Sequence, residues 1–217
     1  MMFRGYMLPA QIRNHFVTLP GSQEIASEFA LHAIWDLYRD LDPESVCEVG
    51  HGVGTITFML AMWRTSRTQI IAVEDNPWCI EQARRNLGLA SSYLQMDGAV
   101  LWYDKIPSYE IFDMIVVDGP QVSAQDWESC LADRAVVVFE GNRREQRALF
   151  EATMRRCGRR FCRINIKPLD RSKGVWVYQT QPDWRERYRY FKTWLVEWCR
   201  DVRARWRGQP IGKRRPR

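Results

Sequence analysis

The sequence has no Cys-x-x-Cys pair, and none of its three histidines stands at ligand spacing from a cysteine. Cys47, Cys79, Cys130, Cys157, Cys162 and Cys199 are scattered along the chain, which favours buried, reduced thiols over a zinc site or a disulfide framework. No uncharged apolar run approaches the ~18 residues of a membrane span. Met1 to Ala10 lacks the long apolar stretch of a signal peptide. A cytoplasmic protein with no transmembrane segment is therefore expected. At 217 residues the chain can fill the core of one α/β domain with extensions, and it is short for two such domains. Acidic charge is scarce only at one end. Asp183 to Arg217 holds twelve Lys and Arg against four Asp and Glu, a net of +8, while the remaining residues sum to −2.

Glycine, in contrast, is concentrated at one point. Ser45 to Val49 reads as a short strand that ends in Gly50-His51-Gly52-Val53-Gly54-Thr55, and Ile56 to Trp63 reads as an apolar helix. Strand, glycine loop and helix in this order form the opening unit of an α/β nucleotide site. The glycines let backbone approach a ligand, and the free N–H groups of the new helix's first turn point at whatever lies above the loop. The dinucleotide pattern G-x-G-x-x-G/A does not fit, because its sixth position falls on Thr55 or Thr57. Taken alone, the loop could equally be a glycine-rich turn with no ligand.

The rest of the chain follows in α/β order. Residues 1 to 21 show no sustained period and are expected to form an irregular arm. Ser22 is a good N-cap for a helix to about Asp40, with Ile25, Phe29, Ala33 and Leu37 on one face. Gln69 to Val73 is a second strand ending at Glu74-Asp75, about 20 residues past Gly54, where doubly wound folds place the acid that receives the ribose hydroxyls. Glu74 takes that role, with Asp75 beside it. Asn76 and Pro77 start a helix whose inner face, Ile80, Ala83 and Leu87, runs to Gly88. Ser91 to Met96 is expected as a third strand closed by Asp97-Gly98. Phe112 to Val117 is a central strand ending in Asp118-Gly119-Pro120. Ser123 and Asp126 form a partial capping box for a short helix. Ala135 to Phe139 is a fifth strand ending at Glu140-Gly141-Asn142, and Arg144 to Arg156 is a helix stopped by Gly158. Phe161 to Ile166 and Gly174 to Thr180 pair as a hairpin.

Glu48-x-Gly50-x-Gly52-x-Gly54, with acids after the later strands, resembles motif I of class I S-adenosylmethionine (SAM) dependent methyltransferases. The resemblance covers about residues 22 to 180. It implies a doubly wound α/β fold with a seven-stranded, mostly parallel sheet, an antiparallel last strand and here an added C-terminal amphipathic helix. The domain division is then an arm at 1–21, a methyltransferase domain at 22–182 and a basic helical tail at 183–217. The resemblance implies SAM as cofactor, wrapped at its methionine end by Gly50, His51, Gly52, Gly54 and Thr55, with Glu48 beneath the amino group. It also implies Glu74 and Asp75 at the ribose, Asp97 and Gly98 at the adenine, and Asp118 near the reacting end. His51 could instead face solvent, and that choice stays open.

Methyl transfer from a sulfonium is an in-line displacement that needs a positioned acceptor and a base. Asp118 is the candidate base, with Glu140 as a second catalytic carboxylate. Asp118, Glu140 and Asn142 also form an oxygen-rich set that would suit Mg²⁺, although Gly141 interrupts the paired residues that metal-dependent O-methyltransferases show after the fifth strand. Metallated and unmetallated carboxylates both stay open. The fourth-strand tip lacks the aromatic of the exocyclic-amine nucleic-acid enzymes, and no cysteine follows a proline as a cytosine-C5 enzyme requires. A small-molecule or glycan oxygen acceptor is the expected substrate. In the tail, Trp184, Tyr188, Phe191, Leu195, Trp198 and Val202 recur at helical spacing among arginines. That helix could dock on its own domain, form a homodimer seam, or bind an anionic membrane or nucleic acid. An RNA methyltransferase and a catalytically silent interaction subunit are the alternatives.

Overall fold

A computed structural model of the chain describes residues 7–65, 67–94, 100–119, 122–166 and 174–182. The 183–217 tail and the loop at 167–173 lie outside them. Seven strands form one sheet: β1 (Ser45–Val49), β2 (Gln69–Val73), β3 (Val100–Tyr103), β4 (Phe112–Val117), β5 (Leu131–Glu140), β6 (Phe161–Ile166) and β7 (Val175–Thr180), in the order β3-β2-β1-β4-β5-β7-β6. β1 to β5 pair in parallel, and β7 enters antiparallel between β5 and β6. The doubly wound sheet with one antiparallel strand is thus the observed fold.

Alternation along the strands builds two cores. In β4, Met114 and Val116 face one layer and Ile115 and Val117 the other, as a pleat of period two requires. The first layer is α1 (Pro9–Phe16), α2 (Glu28–Leu41) and α3 (Thr55–Trp63), which bring Ile12, Phe16, Ile34 and Phe58 against the sheet. Leu87 of α4 (Pro77–Leu94) joins them. The second layer is α5 (Ala124–Ser129) and α6 (Arg144–Arg156), whose Trp127, Phe150 and Met154 pack with Phe139 and Tyr178. Ser123 and Asp126 form the expected capping box of α5, and Gly158 follows α6 at φ +66°. Among the described residues no helix is long and apolar enough to cross a membrane.

Three expectations are corrected. The segment 1–21 is not an irregular arm throughout: Pro9 opens α1, and its Ile12 and Phe16 are fully buried, Phe16 edge-on to Phe58 at 5.4 Å. Eight residues give too few turns to show a period, and a helix this short is held by tertiary packing. Ser22 does not cap α2. It begins a 3₁₀ turn, Ser22–Glu24, and Ser27 Oγ accepts from Ala30 N at 3.1 Å instead. The third strand is not Ser91 to Met96, because α4 runs through Gly88 to Leu94 and β3 begins at Val100. One glycine inside a helix costs only about 1 kcal/mol, too little to end it. The fifth strand is also longer than expected, beginning at Leu131.

Two glycines fix how β1 and β4 leave the sheet. Gly50 has φ +81°, and a Cβ there would stand 1.9 Å from the Gly119 Cα; a Cβ on Gly119 would stand 2.0 Å from the Gly50 Cα. Gly50→Ala and Gly119→Ala should each cost about 3 kcal/mol or more, from backbone overlap and, at Gly50, added strain. Gly88→Ala, with nothing within 4 Å of the new methyl, should stabilise by roughly 0.5–1 kcal/mol. Urea unfolding at unchanged m-value measures all three; a neutral Gly50→Ala would disprove the close contact.

Candidate active site

The loops after β1, β2 and β4 leave the sheet at its carboxyl edge and enclose a cavity of about 630 Å³, within the range of small-molecule sites. Glu48, Gly50, His51, Gly52, Val53, Thr55, Glu74, Asp118 and Gly119 line it. Parallel pairing explains the convergence: Val49 is in register with Val73 and with Val117, so the residues that follow each strand emerge side by side. The loop is tied down by Gly50 N to Val73 O at 2.8 Å and Gly54 N to His51 O at 2.8 Å, with Gly52 and Gly54 at φ +51° and +90°. Gly54 sits at the N-cap of α3 and packs on Ala83 of α4, which brings the helix N-terminus up to the cavity.

The acids there are held in different ways. Glu48 is buried, accepts from the Thr57 hydroxyl, and has its carboxyl pushed up to about 8 by burial, with the charges of Asp118 and Glu74 adding to the rise. Glu74 is also buried, but backbone N–H groups surround it: Gly52 donates to Oε2 at 3.0 Å, and Asp75 and Asn76 donate to Oε1 at 3.2 and 3.1 Å. It therefore fixes the glycine loop as well as facing the cavity. Asp75 is exposed and does not line the cavity. Asp97 and Gly98 lie outside the described residues and precede β3 in the chain, not its carboxyl end.

His51 does not face solvent. Only 4% of it is exposed, its ring stands edge-on to Trp102 at 5.0 Å, and Nδ1 lies 2.9 Å from the Gly52 carbonyl. A carbonyl can only accept, so Nδ1 carries the proton. Burial lowers the pKa of the ring, which leaves a neutral imidazole with Nε2 as an acceptor. Nε2 and the Thr55 hydroxyl are buried without partners among the described residues, and both residues line the cavity. These orphaned groups, the acids and the glycine backbone suit a ligand with several hydrogen-bonding groups and a positive charge.

At the tips of β4 and β5, Asp118 and Glu140 are both largely buried. Burial and the neighbouring Glu140 carboxyl raise Asp118 to about 7, against the opposing pull of Arg143. Arg143 Nη2 donates to Asp118 Oδ1 at 2.6 Å and Nη1 to the Gly119 carbonyl at 2.9 Å; Gln146 Nε2 donates to the same carbonyl at 3.0 Å. Asn142 is exposed, with Oδ1 at 3.5 Å from Arg147 Nη2. The set Asp118, Glu140 and Asn142 does not fit Mg²⁺. The Arg143 guanidinium, paired with Asp118 Oδ1, already supplies positive charge there and would repel a second cation, Asn142 lies against Arg147, and no cluster of metal-ligating acids, His or Cys forms among the described residues.

Sequence reasoning missed Arg143 and the second wall of the cavity. Gly21, Gln23, Ile25 and Ala26 before α2, and Trp78 and Cys79 at the start of α4, also line it. Recognising Ser27 as the true cap would have released residues 22–26 from the helix. Arg143, three residues past Glu140, was readable only as a surface cation.

No protein-family model matches the chain, and no curated protein matches it in sequence. Solved structures share its fold. An O-methyltransferase from Bacillus cereus in complex with S-adenosylhomocysteine (SAH) superposes with a TM-score of 0.58 at 13% identity, over 80% of this chain and 90% of that one. A methyltransferase from Geobacter sulfurreducens gives a TM-score of 0.59 at 16% identity, over 79% and 87%. The O-methyltransferase TomG of Streptomyces achromogenes, involved in tomaymycin synthesis and bound to SAM, gives 0.51 at 17%, over 80% and 88%.

The raised carboxyls make stability depend on pH in a definite direction. Glu48 rises from 4.5 to about 8 and Asp118 from 3.8 to about 7 on folding. The folded chain therefore holds more protons than the unfolded one across that window; this stabilisation is full below pH 4 and is lost as pH rises towards 8. Glu48→Gln keeps the acceptor for Thr57 and removes the ionisation. The variant should gain on the wild type in thermal unfolding as pH is raised from 5 to 8; a pH-independent difference would contradict the buried placement of Glu48.

Proposed function

We propose that the protein is a SAM-dependent methyltransferase acting on an oxygen of a small-molecule or glycan acceptor, with Asp118 as the base. The observation that carries this reading is the cavity itself: glycine loop, Glu74 and Asp118 meet at one sheet edge around buried polar groups that lack partners. The fold shared with methyltransferase structures, two of them O-methyltransferases by name, supports it.

SAM would supply an electrophilic methyl group on a sulfonium. The chain's own residues do the rest. Glu74, already polarised by three N–H donors, keeps a lone pair on Oε2 that can accept from a ribose hydroxyl. Thr55 and His51 Nε2 offer a hydroxyl and an acceptor to the same ligand. Glu48, near-neutral in the free protein, ionises when a cationic amino group settles against it, because an opposite charge favours the carboxylate. Asp118 receives the acceptor's proton. A pKa near 7 makes it a stronger base than an ordinary carboxylate while leaving about half of it ionised at neutral pH.

Calorimetry with SAH tests the reading. The wild type should bind in the micromolar range, Glu74→Gln should lose about tenfold, roughly 1.4 kcal/mol for a charged hydrogen bond, and Asp75→Asn should stay within about twofold. In buffers of different ionisation enthalpy, binding near pH 7 should release protons, and Glu48→Gln should reduce that release. A wild type that does not bind SAH removes the proposal.

A further inference from the structure

We infer that Arg143 is a built-in cation occupying the place a divalent metal would take between the β4 and β5 tips, so that the acceptor's proton leaves to the Asp118–Glu140 pair and not through a metal ion. This rests on the methyltransferase reading for its chemistry but not for its geometry.

Two buried carboxyls side by side cannot both ionise unless a positive charge joins them. The positive charge here is a guanidinium, and it is fixed in place. Nη2 sits 2.6 Å from Asp118 Oδ1, Nη1 holds the Gly119 carbonyl at 2.9 Å, Nε is buried, and only 26% of the side chain is exposed. A Mg²⁺ ion on the same carboxyl, with oxygens at about 2.0–2.1 Å, would stand beside that guanidinium, and the two cations would repel each other in a site largely shut off from water. Asn142, the third potential ligand, lies by Arg147, which stacks on Trp176 at 3.8 Å.

The position of Arg143 in its own helix argues in the same direction. It is the N-cap residue of α6, at φ −27° and ψ 57°, and makes no side-chain cap. A cation at a helix N-terminus opposes the helix dipole, and Ser, Thr, Asp and Asn are the favoured caps. The local cost is offset by the ion pair across the strand tips. In the transfer step the acceptor O–H bond breaks with its proton going to the carboxyl pair, the oxygen lone pair forms the new O–C bond, and the electrons of the C–S bond remain on sulfur. Arg143 takes no part in bond making. It is a positioning residue that keeps Asp118 in place and moderates its basicity.

The test uses Mn²⁺ as the probe, followed by paramagnetic resonance, on the full chain with and without SAH. The wild type should leave the Mn²⁺ signal unchanged. Arg143→Ala, which uncovers the carboxyl pair, should take up about one Mn²⁺ per chain, and Arg143→Lys should not. Asp118→Asn in the Arg143→Ala background should abolish the uptake, separating this site from surface binding. Circular dichroism checks folding, and Arg143→Gln serves if the alanine variant unfolds. Wild-type uptake of Mn²⁺ that is lost in Asp118→Asn would overturn the inference, as would an uncovered pair that binds none. Failure of SAH to bind would remove the methyltransferase reading and leave the Mn²⁺ comparison to decide the cation alone.

Discussion

The backbones of Gly50 and Gly119 lie in contact, and the site exists because of that contact. Parallel strands bring their carboxyl ends to one edge, but side chains on the departing loops would normally hold those loops apart. With no Cβ at either position, the chain after β1 passes directly against the chain after β4. Arg143 and Gln146 then hold the Gly119 carbonyl from the start of α6, and Glu74 holds Gly52 from the end of β2. The glycine loop is clamped from both sides.

The clamped loop is surrounded by carboxyls in unlike states. Glu74 is buried among three backbone donors, whereas Glu48 is raised by burial and by the charges of Asp118 and Glu74, and Asp118 by burial and the neighbouring Glu140. The distinction follows from what each group faces. Backbone N–H groups cluster at the β2 tip because α4 begins there, with Asn76 as its cap and Pro77 as its first residue. Among the described residues Glu48 has only Thr57 beside it, through its hydroxyl and backbone N–H. The free site therefore holds acidic groups short of positive charge at its β1 floor and supplied with it, through Arg143, at its β4 wall. A cationic ligand is complementary to the floor.

What could be read from the sequence was whatever local chemistry determines. The glycine loop, the acids at the ends of β1, β2, β4 and β5, the capping box at Ser123 and the closing hairpin follow from period, turn residues and strand length, and they stand where expected. The errors arose where tertiary packing overrides local preference. Eight residues at Pro9–Phe16 form a helix because Ile12 and Phe16 have a core to enter. α4 passes Gly88 because no steric or conformational conflict stops it there. That one error displaced the third strand. Arg143 was invisible for a different reason. An arginine three residues past a strand carries no local signal, and its meaning lies wholly in where Asp118 has been brought from 25 residues away.

The arrangement also separates the tasks of folding and chemistry. Behind Asp118, Trp127, Phe139, Phe150 and Tyr178 form a continuous aromatic cluster with ring centroids 5.0–6.0 Å apart, edge-on and tilted contacts of the kind that add stability beyond buried area. This packing does not involve the carboxyls, so it can carry the cost of keeping them dry. A ligand that brings positive charge to the β1 floor would relieve part of that cost and stabilise the folded state as it binds. The unfavourable burial of Glu48 in the free protein is then a source of binding selectivity: a neutral or anionic ligand of the same shape would leave the floor uncompensated, and a cationic one would not.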